Sequence, residues 1–304
     1  MKLFLGPLSI KLGCLYVGIN DKKRTKNPTF AEEINYQMDL NYMNDNSRSH
    51  RFDILTPINN YNGRTIIDIH GGAYVYGYKE NNFEYCTMLA KHGYKVINMN
   101  YTLYRGKTGV DDSIREIHAL LNYLYDRRDE YNIDFDNIIL MGDSCGAHLA
   151  FLTYLSNQVK ELQDLIKIKP LDMNVTHLVF SSPVYDYYRC SKWIAKFLSK
   201  RGQKYVGGPN YQDAEFLEKL SPRYYIENKK YDYLPKIFAS TSYVDFLKED
   251  AFDLKKDLND LVTLEYSPIH LNKVNHVYNV VDTKSYYSRK TNNALIKFLA
   301  KVKK

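Results

Sequence analysis

The sequence predicts an α/β fold, a mostly parallel sheet with helices on both faces, and three observations carry that expectation. Short β-branched runs recur along the chain: TIIDIH (65–70), KVINMN (95–100), NIILMG (137–142), THLVFS (176–181), KIFAST (236–241) and LVTLEY (261–266). They are almost continuously apolar rather than alternating, as strands buried on both faces of a parallel sheet are. Helical patterns lie between them. Residues 111–128 put Ile114, Ile117, Leu121 and Leu124 on one face, with Asp111 and Asp112 suited to the first turn. Residues 285–304 bring Leu295, Phe298, Leu299 and Val302 together at helical spacing. Finally, 304 residues at 44% hydrophobic and 25% charged are enough to bury a sizeable core. HRFDIL (50–55) is a weaker candidate, for an earlier strand at the sheet edge.

Two regions break the alternation. Residues 1–49 precede it and are expected to form an N-terminal strap or cap. Residues 183–235 are a Tyr-rich insertion between two strands. In open α/β sheets the ligand crevice lies at the carboxyl ends of the strands. An insertion following THLVFSSP emerges at that edge, so it is expected to form a lid or pocket wall. The whole chain, 1–304, is expected to be a single domain.

Composition removes several function classes. The net charge is +7, and the basic runs Lys22-Lys23-Arg24 and Lys301-Val302-Lys303-Lys304 lack interleaved aromatics. They read as solvated faces, and no nucleic-acid partner is expected. The four cysteines are far apart and form no CxxC pair, which argues against zinc, against a disulfide framework and for a reducing, cytoplasmic setting. At the start of the chain, Pro7 and Lys11 break the apolar pattern of a leader. No apolar run approaches the ~20 residues of a membrane span, so no stable membrane insertion is expected. No Walker-type loop and no GxGxxG after the first strand is present, which excludes the obvious nucleotide cofactors. His50, His92, His118 and His177 have no partners at ligand spacing, so no metal is expected.

The chemistry is concentrated in LMGDSCGAHLAF (140–151), where Ser144 and Cys145 stand side by side between two glycines. Gly142-Asp143-Ser144-Cys145-Gly146 fits G-x-S-x-G, directly after a strand and directly before a helix, the context this nucleophile turn requires. Bulky side chains two residues either side of the nucleophile would clash, hence Gly142 and Gly146. Ser144 is the central residue of the turn. At Cys145 it is the backbone N–H that counts, as a donor to an oxyanion. Upstream, DIHGGAYVYG (68–77) carries His70-Gly71-Gly72 after another strand. A glycine pair there lets backbone N–H groups face a bound carbonyl. His70 reads as a structural residue, and His148, four residues past Ser144, as packed against the sheet.

With HGGAY, NMNYTL, GDSCGAHLA, SSPVYD and STSYVDFLKEDA in this order, roughly residues 50–280 resemble an α/β-hydrolase of the hormone-sensitive-lipase-like esterase group, whose relatives include carboxylesterases and arylformamidases. The resemblance implies a Ser–acid–His chain order. It implies His276, in KVNHVYNV, as the catalytic base; His270 is the other downstream candidate but follows the last strand by only four residues. Where the family has glycine after this histidine, Val277 stands here. The implied acid is Asp245, followed by Phe246 and Leu247; Glu249 and Asp250 fall in the next helix, and a helix N-cap is the competing role for Asp245.

The expectation is therefore a cofactor-free serine carboxylesterase acting on a small-molecule ester. Ser144, Asp245 and His276 form its triad, and Gly71, Gly72 and Cys145 its oxyanion hole. The aromatic insertion suits short or aromatic acyl groups. An arylformamidase-type amidase and a non-catalytic binding protein on the same fold remain open, as does a homodimer.

Overall fold

The computed structural model describes residues 6–269 and 274–301; His270 and Val302 lie outside the described residues. One eight-stranded sheet runs β1 (Ile34–Asn41), β2 (Arg51–Pro57), β3 (Thr65–Ile69), β4 (Lys95–Met99), β5 (Ile138–Asp143), β6 (Val175–Ser181), β7 (Lys236–Ser242) and β8 (Val262–Ser267). Their spatial order is β1-β2-β4-β3-β5-β6-β7-β8. β1 pairs antiparallel with β2, and β2 with β4; every other pairing is parallel.

Every residue of β3, β4 and β5 is buried, which is why these strands read as unbroken apolar runs. Alternate residues face opposite ways. Ile67, Ile97, Leu140 and Leu178 join a core with Ile114, Ile117 and Leu149 of the helices on one face. Ile66, Val96, Ile139 and Val179 join Leu89, Leu295 and Leu299 on the other. The helices Val110–Asp126 and Tyr286–Ala300 occupy the two amphipathic segments.

The chain leaves β3 for β4 on one side, then returns to β5 on the other. That reversal is a topological switch point, where the loops at the strand ends diverge and open a crevice. The loop after β3 and the turn after β5 both emerge there. Four short helices, Tyr187–Ala195, Lys200–Gly207, Ala214–Lys219 and Pro222–Glu227, fill the insertion between β6 and β7.

Two expectations need correction. Residues 51–57 form the second strand rather than the edge, and the edge strand β1 lies inside the segment expected to be wholly a strap or cap. β1 carries no apolar run because most of it faces solvent, and a bulge between Gln37 and Leu40, with Asp39 at φ 56°, interrupts its register. The strap proper is the helix Pro7–Thr25.

Candidate active site

β5 ends at Asp143, and the helix Cys145–Ser156 begins two residues later, so Ser144 alone makes the turn, at φ 54° and ψ −120°. A serine in this left-handed region is strained, and such strain persists only where the surroundings over-determine it. They do so here by close backbone approach. A Cβ on Gly142 would lie 2.4 Å from the Gly146 carbonyl, and one on Gly146 only 2.0 Å from Ile69 O. The Ser144 N–H donates to Ser181 O at 2.8 Å, tying the turn to β6.

Ser144 Oγ lies 2.9 Å from His276 Nε2, and His276 Nδ1 lies 2.9 Å from Asp245 Oδ1. The three residues, 132 and 31 positions apart in sequence, are thus brought into one hydrogen-bonded line. Asp245 is fully buried at its side chain. Its Oδ1 also accepts the Leu247 N–H at 2.8 Å, and Oδ2 accepts the Thr241 hydroxyl at 3.3 Å. Burial pushes this carboxyl upward, but the hydrogen bonds and the His276 charge outweigh it and hold Asp245 below its ordinary value, ionised.

Val277 stands at φ 50°, ψ 31°, the conformation that glycine adopts freely. For a β-branched residue this costs about 1–3 kcal/mol. Two interactions offset it: the Val277 N–H donates to Ser182 Oγ at 3.1 Å, and its side chain packs in the core with Val280 and Leu295. The His276 loop therefore takes the glycine-type path without a glycine.

The loop after β3 is more constrained than its sequence suggests. Gly72 (φ 124°), Ala73 (φ 51°) and Tyr74 (φ 64°) are consecutive positive-φ residues. Gly71 departs from expectation, because its N–H donates to Asp143 Oδ1 at 3.0 Å and is therefore taken up. Gly71 is glycine for space: a Cβ would lie 2.3 Å from Asp143 Oδ2 and 3.1 Å from Ser144 Cβ. Cys145 opens its helix, where an N–H has no acceptor within the helix. The Cys145 thiol is buried and pushed up to about 12 by that burial, and its Sγ accepts the Tyr74 N–H at 3.3 Å. It is a neutral packing group.

The other two histidines near the turn are buried and engaged away from Ser144. Burial holds His70 down at about 4, and it donates from Nδ1 to Gly71 O at 2.7 Å while stacking on Tyr101. His148 is also held at about 4 by burial, but it does not pack on the sheet as expected. It donates from Nε2 to Leu220 O in the insertion at 2.7 Å, accepts the Tyr74 hydroxyl at 2.8 Å, and stacks on Tyr187. It bridges the helix Cys145–Ser156, which follows the nucleophile elbow at Ser144, to the 183–235 insertion that forms the cap over the crevice.

The sequence reading missed Asn82, which donates to both Asp143 Oδ1 (2.8 Å) and Asp68 Oδ2 (3.0 Å) behind the nucleophile. Burial, with the Asp143 charge, pushes Asp68 up to about 7. A carboxyl raised in the folded state contributes stability that is complete below its ordinary value near 4 and is lost as pH rises through 7. Asp68→Asn does not titrate, so the variant should gain on the wild type between pH 4 and 8, by on the order of 4 kcal/mol. Thermal midpoints measured across that range check this; parallel curves would refute it.

The cap walls an open-sided cavity of about 300 Å³ lined by Tyr74, Tyr187, Cys190, Ile194, Leu198 and Leu217 among others. Ser144 and His276 do not line it, but Tyr74 connects it to Cys145 beside the nucleophile. On the outer side, Phe246 packs 4.4 Å from the His276 ring, and Trp193 of the cap stacks on Phe246.

Sheet order, elbow and the crevice at the switch point together define an α/β-hydrolase. The same fold is seen in esterase B of Lactobacillus rhamnosis, at TM-score 0.84 and 23% identity, covering 96% of this chain and 93% of that one. A bacterial heroin esterase superimposes at TM-score 0.68 and 18% identity, covering 97% and 92%. The chain belongs to the BD-FAE family, whose model matches residues 52–238. It is also 27% identical over 129 residues to an alpha/beta hydrolase of Acanthamoeba polyphaga mimivirus, covering 42% of this chain and 37% of that protein. An acetyl esterase of Salmonella enteritidis is 30% identical over 92 residues, covering 30% and 28%. The chain thus spans well under half the length of these two relatives. Among the described residues, no helix is long and apolar enough to cross a membrane.

Proposed function

We propose that this chain is a serine hydrolase that cleaves small carboxylic esters through an acyl-enzyme on Ser144. One observation carries the reading: the unbroken line from Ser144 Oγ through His276 to a buried, ionised Asp245, with the serine held at a strained turn. In a Ser–His pair of this geometry the imidazole accepts the hydroxyl proton as oxygen attacks, and the carboxylate orients and stabilises the imidazolium. The N–H groups of Gly72 and Cys145 are the donors left to hold the developing oxyanion once Gly71 is assigned to Asp143. Each such donor contributes about 2.7–4 kcal/mol to the transition state. His276 then protonates the leaving alcohol, and water releases the acyl group by the reverse route.

A 300 Å³ cavity is at the small end of ligand sites, and its Tyr and Leu lining favours a short or aromatic group. Hydrolysis of p-nitrophenyl acetate, butyrate and octanoate tests both points. Acetate and butyrate are expected to turn over with kcat/KM about tenfold or more above octanoate. A fluorophosphonate should label the wild type at Ser144. Absence of both labelling and turnover would refute the reading and favour a binding protein on this fold, whereas labelling with turnover only of formamides would move the substrate class to amides.

A further inference from the structure

The helix Pro7–Thr25 presents apolar residues on the wrong side. Its inner stripe is accounted for: Ile10 and Cys14 pack on the core, Gly18 lies against the Tyr76 ring, and Asp21 accepts the Tyr76 hydroxyl at 2.6 Å. Its outer stripe should then be polar. Instead it carries Leu8, Leu12, Leu15, Tyr16 and Ile19, exposed by 71, 58, 61, 71 and 49%. These fall at helical spacing on one face.

The patch continues into the cap. Gly6 abuts Ser199, where an added Cβ would sit 3.7 Å from its hydroxyl, and Lys11 lies 5.9 Å from the Tyr205 ring. Beside this junction Trp193 and Phe197 are exposed by 46 and 53%. Trp193 stacks on Phe246, itself 60% exposed, and Phe246 packs on His276. At its other end the helix reaches past the catalytic loop, with Arg24 donating to Asn81 O at 2.9 Å and to Val281 O at 3.5 Å. The apolar surface thus borders the opening to Ser144.

Charge is concentrated in the same two segments. Residues 6–26 and 190–208 hold ten Lys and Arg, and a single acid, Asp21, which is paired with Arg24. Since the whole chain carries only +7, the remainder is slightly acidic. Lys11, Lys22, Lys23, Lys26, Lys196 and Lys200 are all exposed. An isologous contact with a second copy would set this cationic face against itself. A nucleic acid could use the lysines and the few exposed aromatics but would leave the aliphatic stripe of Leu8, Leu12, Leu15 and Ile19 without a partner. An anionic lipid surface satisfies both features, apolar residues entering the headgroup boundary and lysines meeting lipid charge.

We propose that the strap helix and the cap segment 190–208 form a docking face by which the protein adsorbs peripherally to anionic membranes, with the active-site opening turned toward the lipid. The face lies outside the catalytic line, so the proposal stands or falls independently of the ester-hydrolysis reading.

Co-sedimentation tests it, using vesicles of phosphatidylcholine alone and of phosphatidylcholine with about a third phosphatidylglycerol. The protein should pellet with the mixed vesicles and not with phosphatidylcholine alone, and partition should fall about tenfold or more between ~0.1 M and ~0.5 M NaCl. The triple variants L12S/L15S/I19S and K196E/K200E/R201E should each lower partition about tenfold or more. Their thermal midpoints should match the wild type, because all six side chains are exposed. Failure to pellet with either vesicle, or equal binding to both, would overturn the proposal. So would a concentration-dependent dimer in sedimentation velocity that L12S/L15S/I19S dissolves, without vesicle binding.

Discussion

Replacing Ser144 with Ala is expected to lower turnover of p-nitrophenyl acetate by about 10⁴–10⁶-fold with little change in thermal midpoint. The size of the loss follows from the geometry. Among the described residues Ser144 is the only hydroxyl bonded to His276, and in the proposed reaction the 2.9 Å contact to Nε2 carries its proton away as oxygen attacks. The neighbouring thiol cannot substitute, since Cys145 is buried, neutral and packed away under Tyr74. Residual turnover then reflects the oxyanion donors and binding alone. Ala at the same φ and ψ is about as strained as Ser, so stability changes little. A variant retaining even a tenth of wild-type kcat, with its fold intact, would remove Ser144 from the reaction.

Asp245→Asn should cost about 10³–10⁴-fold in kcat while leaving KM for small esters largely unchanged. The buried carboxylate accepts hydrogen bonds from His276, Leu247 and Thr241. An amide keeps the shape but can present an NH₂ to His276 Nδ1, which forces the imidazole into the tautomer that cannot take the serine proton at Nε2. The charge that stabilises the imidazolium is lost as well. Asp245 is not the N-cap expected as its competing role, since Leu247 holds that position; its local turn bond to the Leu247 N–H would be preserved by Asn. Full activity in Asp245→Asn would therefore limit Asp245 to holding the Leu247 N–H ahead of the helix, and loss of activity with an unchanged thermal midpoint assigns it to the reaction.

Much of this was legible in the residues. β3, β4 and β5 announced themselves because burial on both faces leaves no polar positions, and the Ser144 turn because strand, G-x-S-x-G and helix follow without a gap. β1 was not legible: as a bulged edge strand with Asn35, Gln37 and Asp39 it shows neither an apolar run nor a clean alternation. Gly71 was found, but for the wrong reason. Sequence shows that a glycine is permissive, not where its N–H points, and Asp143 lies 72 residues away. Asn82 gave no signal at all, since its partners Asp68 and Asp143 are 14 and 61 residues distant. His148 was placed on the wrong side because every residue of its helix is buried, so periodicity cannot say which neighbour it meets.

The packing of Cys145 has a consequence for the conditions under which this site works. All four cysteines are free, and burial raises every one of their thiols above its ordinary value. A raised thiol pKa disfavours the thiolate that alkylating agents and peroxide attack, most strongly at the buried Cys86 and Cys145. The serine's neighbour, which by position alone invites oxidation, is sealed beneath Tyr74 and Tyr101. The proposed hydrolysis at Ser144 would need no reductant and form no disulfide, so it would not depend on the redox state of its surroundings.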